Sequence, residues 1–414
     1  MKVCDIVQFY SPLGGGVRRY IEDKIRIYAG NPEIDHSIIV PSDRNDRQIF
    51  HSTKVFHVKS MPLVGSNSYR VLRSRRYILS LLASIEPHII EVDNPYFSAW
   101  TAIAARERFD IPVVAFYHSD FPRALGRTVQ RFTNTSIENL ISAPFKRYIV
   151  SLYNRMDATI VASRRIEALL QDCGINNLVR IPLGTDVERF YPHPDPQSLR
   201  DELGLNPGDV LLVFVGRLAR EKHIHSLIEM TNLLAKRFDS QKTVHLLLVG
   251  DGELRRYVQS QVISTPYITW KKYCTSSEEL RRCYTAADLF IHAGDYETFG
   301  ITSLEAQACG SRVIAIDGGG MEDTLEGEEP KILAQSSAPQ DLAEAVQKAV
   351  SVDDGQTPEE RRQRIIENFS LDRTVARIIG LYQHILAGLP IEAYTVASPE
   401  EQDHEHSDKA IYTE

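Results

Sequence analysis

Two short apolar runs, residues 287–291 and 313–316, enclose the stretch HAGDYETFGITSLEAQACG at 292–310. Such runs look like strands. Between them lie a polar loop carrying Glu297, then Thr298, Phe299 and Gly300 leading into a helix on which Glu305 falls in a buried register. The start of a helix presents unpaired backbone N–H groups and a partial positive charge, and so seats an anion. Carboxylates beside such a seat make sense when the anion also carries hydroxyls. A nucleotide sugar does: its diphosphate suits the N–H groups, and its ribose and hexose hydroxyls suit the glutamates.

Glu297 and Glu305, with seven residues between them, resemble the E-x7-E motif of the retaining glycosyltransferases of family 4. The wider context, ETFGITSLEAQACG at 297–310 followed by the apolar run 313–316 and Gly318-Gly319-Gly320, is similar to that family and far more specific than the two glutamates alone. The resemblance implies an α/β chain of the GT-B architecture. Two doubly wound Rossmann-like domains would face each other across a cleft, and a C-terminal helix would cross back to the first domain.

Length agrees, since 414 residues exceed one ordinary core and suit two such domains. The expected division is an acceptor-side domain over 1–190, a nucleotide-sugar domain over 191–372, a crossover helix over 373–388 and a disordered tail over 390–414. The stretch LGTDVERFYP at 183–192 resembles the family's interdomain crossing, and the proline-rich residues after it read as a stiff linker. Charge is uneven. Residues 1–190 hold 25 Lys and Arg against 19 Asp and Glu, which leaves 22 of the 47 basic residues against 36 of the 55 acids in the remainder. A basic first half hints at an anionic partner there. Five cysteines without C-x-x-C spacing suggest thiols in a reducing compartment. The opening MKVCDIVQFYSPLGG enters a strand pattern directly, without a signal-peptide pattern, so a cytoplasmic chain is expected.

Taken in order, residues 3–9 read as a first strand, ended by a glycine loop and a helix, a layout that lets backbone approach a phosphate. In the family a glycine pair here lies against donor diphosphate and acceptor, which assigns Gly15 and Gly16. Arg70, Arg73 and Arg76, at intervals of three, are expected on one helix face, which is either simply solvated or rests on anionic lipid headgroups. A strand over 113–117 ends at His118, where ligands bind in open parallel sheets. The resemblance implies that His118 contacts the transferred sugar, and Asp120 beside it is placed toward the acceptor. A second basic stretch, 124–156, reads as helical with a break near Ser142-Ala143-Pro144. In the second half the run 210–215 is a buried strand ending at Gly216-Arg217, with Lys222 five residues on. Arg217 and Lys222 can converge on one diphosphate, as a fork and a point charge. This matches the family's G-R-x-x-x-x-K element. Gly252, in the turn after the next strand, is placed beside the nucleotide.

Transfer requires that the leaving diphosphate be stabilised, the sugar held and the acceptor hydroxyl aimed. Arg217, Lys222 and the helix start at Thr298–Gly300 are assigned to the first task, Glu297 and His118 to the second, and Glu305 to the ribose. No D-x-D occurs in the chain, so no metal and no cofactor beyond the donor is expected. The function implied is metal-independent transfer of a hexose, mannose or glucose, to a lipid or glycan hydroxyl. The chain would work in the cytoplasm, at the inner face of the membrane, without a nucleic-acid partner. The alternatives are a soluble or polysaccharide acceptor, or a nucleotide-binding module without catalysis.

Overall fold

Apolar and β-branched runs become strands here because both faces of each sheet are covered by helices. The computed structural model describes all residues except 9, 11–15, 64–68, 119–137, 238–242, 273, 275, 354 and 395–414. The chain divides into two units. One is Met1–Pro182 with Thr374–Glu414, and the other is Leu183–Arg373.

Among its described residues the first unit carries ten strands: β1 Lys2–Ile6, β2 Asp35–Ser42, β3 Asp46–Phe50, β4 Thr53–Lys59, β5 Met61–Pro62, β6 Arg70–Val71, β7 Ile89–Val92, β8 Val113–Phe116, β9 Ala158–Val161 and β10 Leu178–Arg180. Eight form one sheet in the order β10-β9-β8-β7-β1-β2-β4-β3, and β5 pairs with β6. All neighbours in the large sheet run parallel except β3, which is antiparallel to β4. The winding reverses at β1 and β7. Helix Phe97–Phe109 makes the crossover from β7 to β8. Its buried residues, from Ser98 to Ala105, leave no polar stripe that would mark it in the sequence.

A charged cluster sits inside this unit. Helix Gly16–Ala29 places Tyr20, Lys24 and Tyr28 at intervals of four, on one face. Lys24 Nζ lies 2.9 Å from Asp5 and 3.0 Å from Glu91, and donates to the Tyr382 hydroxyl at 3.1 Å. Tyr382 donates in turn to Glu91. His36 bridges Asp5 at 3.0 Å and Thr53 at 2.9 Å. Burial opposes the charge on Asp5, yet Lys24 and His36 hold its carboxyl below the ordinary value. Burial raises that of Glu91. Tyr382 belongs to helix Leu371–Leu386, so this network fastens that helix to the core of β1 and β7.

Among its described residues the second unit has six parallel strands: β11 Val210–Val215, β12 Val244–Val249, β13 Ile268–Lys271, β14 Leu289–Ile291, β15 Arg312–Ile316 and β16 Ile332–Ala334, ordered β13-β12-β11-β14-β15-β16. Its winding reverses between β11 and β14. The strand pair and crossover expected around 292–310 are present as β14, helix Ile301–Ala308 and β15. Among the described residues no helix is long and apolar enough to cross a membrane.

Four expectations change. The chain passes to the second unit after Pro182 rather than near residue 190. Thr185 pairs with Ser370, and Arg362 donates to the carbonyls of Val187 and Phe190, so residues 183–190 are bound to the second unit. Arg70, Arg73 and Arg76 do not share a helix face. Arg70 lies in β6, held by the pairing of Pro62 with Arg70, and donates to the Ser60 carbonyl at 2.8 Å; Arg73 precedes the helix, which begins at Arg75. Helix Glu138–Tyr153 runs through Pro144 without the expected break; the proline forgoes one backbone bond and the helix continues past it. Residues 391–393 form a 3₁₀ turn, and the Tyr394 hydroxyl donates to the Arg377 carbonyl at 2.8 Å, so the first residues of the expected tail are packed.

Removing Lys24 would leave two carboxylates buried without their counter-charge, which typically costs about 3–5 kcal/mol. Lys24→Met is therefore expected to lower the urea midpoint by that equivalent. The triple change with Asp5→Asn and Glu91→Gln should recover much of the loss.

Candidate functional site

The reversal between β11 and β14 sets the place for ligands, because in open parallel sheets they bind outside the carboxyl ends at such a point. Gly216 ends β11, its N–H donating to the Val249 carbonyl at 3.0 Å. Arg217 follows, with a side chain 71% exposed and 3.2 Å from Glu221. A 3₁₀ turn, Arg220–Lys222, then carries Lys222 inward. Its ammonium forms an ion pair with Glu297, and these side chains are only 17% and 22% exposed. The two candidates separated by 75 positions are thus brought into contact.

Two further groups join them that sequence reasoning did not single out. His292, the first residue after β14, is buried and lies 3.3 Å from Glu297 through Nε2. Its Nδ1 accepts from the Gly294 N–H at 3.1 Å, so Nε2 carries the proton and donates to the carboxylate. Burial, then the nearby Lys222, hold this imidazole well below its ordinary pKa, so it is neutral. His223 meets Asp295 at 3.0 Å on the same loops. The available signal was position: both histidines stand at strand-end loops beside candidates already named. Glu297 therefore lies between a cation and a neutral donor, and can pass either bond to an incoming hydroxyl.

Helix Ile301–Ala308 begins at Gly300, whose φ of 100° suits glycine. Thr298 is half-buried, while the Phe299 side chain belongs to the core and leaves only its backbone for a ligand. Glu305 is buried, and the Tyr284 hydroxyl donates to it at 2.8 Å. Gly252 turns after β12 with its N–H on Asp251 at 2.8 Å. The loop of Gly318–Gly320 closes on the glutamate: a Cβ on Gly320 would stand 2.0 Å from the Glu297 carbonyl oxygen.

In the first unit, His118 stands at the end of β8. Its imidazole stacks on Phe116 at 4.1 Å and 6°, and Tyr20 packs beside both rings, 4.8 Å from His118 and 5.0 Å from Phe116. Burial, then the charge of Lys24, push its pKa down to about 3. Gly16 opens helix Gly16–Ala29. Gly15 and Asp120 lie outside the described residues.

Two family models match the chain: Glycosyltransferase Family 4 over residues 14–189 and Glycosyl transferases group 1 over residues 195–370. A GDP-mannose-dependent alpha-mannosyltransferase of Mycobacterium tuberculosis is 31% identical over 268 residues, 65% of this chain and 63% of that one. A GDP-mannose-dependent alpha-(1-6)-phosphatidylinositol dimannoside mannosyltransferase of the same species is 24% identical over 92% of this chain and 95% of its own. Among solved structures, sucrose-phosphate synthase of Thermosynechococcus elongatus superposes with a TM-score of 0.74 at 21% identity, over 94% of this chain and 100% of that one.

Because the Gly320 contact is with backbone, no side-chain rotation relieves it. Gly320→Ala should cost about 3 kcal/mol, the upper end for overpacking. Gly318→Ala, with φ 64° and nothing within 4 Å, should cost about 1 kcal/mol. Urea unfolding of the two variants checks the order.

Proposed function

The chain belongs to the family 4, group 1 glycosyltransferases, retaining enzymes of the GT-B fold, and from this premise we propose that it moves mannose from GDP-mannose to a hydroxyl of a lipid-linked or glycan acceptor. The observation that carries a catalytic reading is the Lys222–Glu297–His292 constellation at the strand reversal. The choice of mannose and of GDP is supported by the relatives named above.

In this reading the departing diphosphate draws Arg217 and Lys222, and the N–H groups opening helix Ile301–Ala308 add a fixed positive potential. These charges take the part that a metal plays in D-x-D enzymes. Lys222 passes from Glu297 to the phosphate as the donor arrives, and the freed carboxylate oxygen accepts from a sugar hydroxyl. His292 keeps Glu297 oriented through that exchange. Glu305 supports the nucleoside through ribose hydroxyls, and Tyr284 holds it in register. His118 is assigned to the sugar by the resemblance. Gly15, Gly16 and Gly252 are assigned to close backbone approach and Asp120 to the acceptor side.

Lipid as the acceptor class has a support of its own. From residue 47 to residue 85 the chain contains Arg47, Lys54, Lys59, Arg70, Arg73, Arg75 and Arg76 and no Asp or Glu. Arg73, Arg75 and Arg76 are exposed, and Arg73 lies over the ring of Phe97 at 5.2 Å. Phe97 is 50% exposed and Met61, on the adjoining hairpin, 67%. Basic heads beside exposed apolar groups suit an anionic bilayer surface, so a peripheral position is proposed without the helix face first expected.

A panel of GDP-, UDP- and ADP-sugars, scored by thermal shift and slow hydrolysis, is expected to select GDP-mannose. Glu297→Gln should cut transfer by about 10²–10³ while nucleoside diphosphate binding in calorimetry stays near wild type. Equal loss of both would remove the constellation from the chemistry. Vesicles containing anionic lipid should bind the protein at low salt and release it at about 0.5 M, where the Debye length falls to roughly 4 Å. Absence of binding at low salt would favour a soluble acceptor.

A further inference from the structure

His118 packs in a cluster with two aromatic rings that the reaction as described does not use. Phe116, two residues earlier on β8, stacks flat on the imidazole. Tyr20 packs against both, its ring 4.8 Å from His118 and 5.0 Å from Phe116. Phe116 and Tyr20 are buried. The Tyr20 hydroxyl donates to Glu91 Oε1 at 3.0 Å, and Lys24 Nζ is 3.0 Å from the same oxygen. Burial, then Glu91, hold the Tyr20 hydroxyl well above its ordinary pKa, so it keeps the proton it donates.

We infer that Tyr20 is a positioning residue for His118: its ring and that of Phe116 fix the plane of the imidazole, and Glu91, held by Lys24, pins Tyr20 in place. The buried cluster thus has a second task besides fastening helix Leu371–Leu386. A free histidine side chain turns about two bonds, and each misplaced orientation withholds its nitrogen from the sugar. This packing removes that freedom before the donor arrives. It also half-buries the imidazole, and among the described residues the charged groups acting on it are Lys24 and Asp5. A neutral ring is what this position requires. A sugar leaving its diphosphate becomes cationic in the transition state, and an imidazolium beside it would repel that charge. This inference rests on the reading that His118 meets the transferred sugar.

The test compares Tyr20→Leu, Tyr20→Phe and His118→Ala, each confirmed folded by circular dichroism and melting. Imidazole signals of the isotope-labelled full-length protein are followed from pH 5 to 8. In the wild type the His118 signal should not titrate. In Tyr20→Leu it should titrate toward the ordinary value near ~6.5, and kcat should fall roughly 100-fold, with the Kd for GDP unchanged. Tyr20→Phe keeps the ring and loses only its pin, and should recover most of kcat. It carries the same comparison at smaller amplitude if the leucine variant does not fold. Unchanged kcat and unchanged imidazole signals in a folded Tyr20→Leu overturn the inference. Full transfer by His118→Ala would instead overturn the assignment of His118 to the sugar, and the imidazole signals would still decide whether Tyr20 holds the ring.

Discussion

A parallel sheet with helices on both faces has no room for chemistry along its strands. Every side chain from Val210 to Val215 is buried, as is every one from Val244 to Val249, and the backbone groups between them are used up in the ladder. Polar function can collect only where strands stop. It collects most readily where neighbouring strands send their crossovers in opposite directions and the loops part. In the second unit that place is between β11 and β14. The residues found there, Arg217 to His223 after one strand and His292 to Glu297 after the other, are those to which the proposed reading gives the donor chemistry. The position of the site follows from the order of the strands.

Two lysine–carboxylate contacts show how burial sets the use of the same pair. Lys24 is wholly enclosed, its ammonium shared among Asp5, Glu91 and Tyr382. Such a group has no bond to give up, and moving it would expose a charge to a medium that cannot solvate it. It serves as a fixed support for what packs on it. Lys222 and Glu297 pair with part of each side chain exposed, and in the proposed reaction a ligand phosphate would offer Lys222 a better partner and a sugar hydroxyl would offer Glu297 one. Their exchange costs little because both remain solvated in part. The neutral His292 beneath them adds a bond without adding a charge that would compete for the phosphate.

The sequence was informative where a single segment holds both ends of an argument. The apolar runs around 292–310 and the polar loop between them define a strand, loop and helix with no help from elsewhere, and the structure has them. The glycine-arginine turn after β11 is of the same kind. What could not be read depends on distant partners. Arg70, Arg73 and Arg76 have helical spacing, but β6 pairs with β5 and draws Arg70 into a strand. The helix Phe97–Phe109 is apolar nearly all round and so has no period to detect. The earlier passage into the second unit depends on Arg362, far along the chain. The Lys24 cluster takes its members from positions 5, 24, 36, 91 and 382, and no local pattern joins them.

The same distinction explains why His292 and Tyr20 escaped attention while Glu297 and His118 did not. Glu297 and His118 are announced by their neighbours in the chain and by resemblance. His292 matters because its two nitrogens find Gly294 on one side and Glu297 on the other, which fixes its tautomer. Tyr20 matters because a hydroxyl on one helix reaches a carboxylate on β7 while its ring meets an imidazole at the end of β8. Each packs on a residue that the proposed function assigns to substrate, and its proposed effect is on angle and protonation rather than on contact. Such roles are set by packing. A site built this way is legible in sequence for the groups that touch the ligand and opaque for those that aim them.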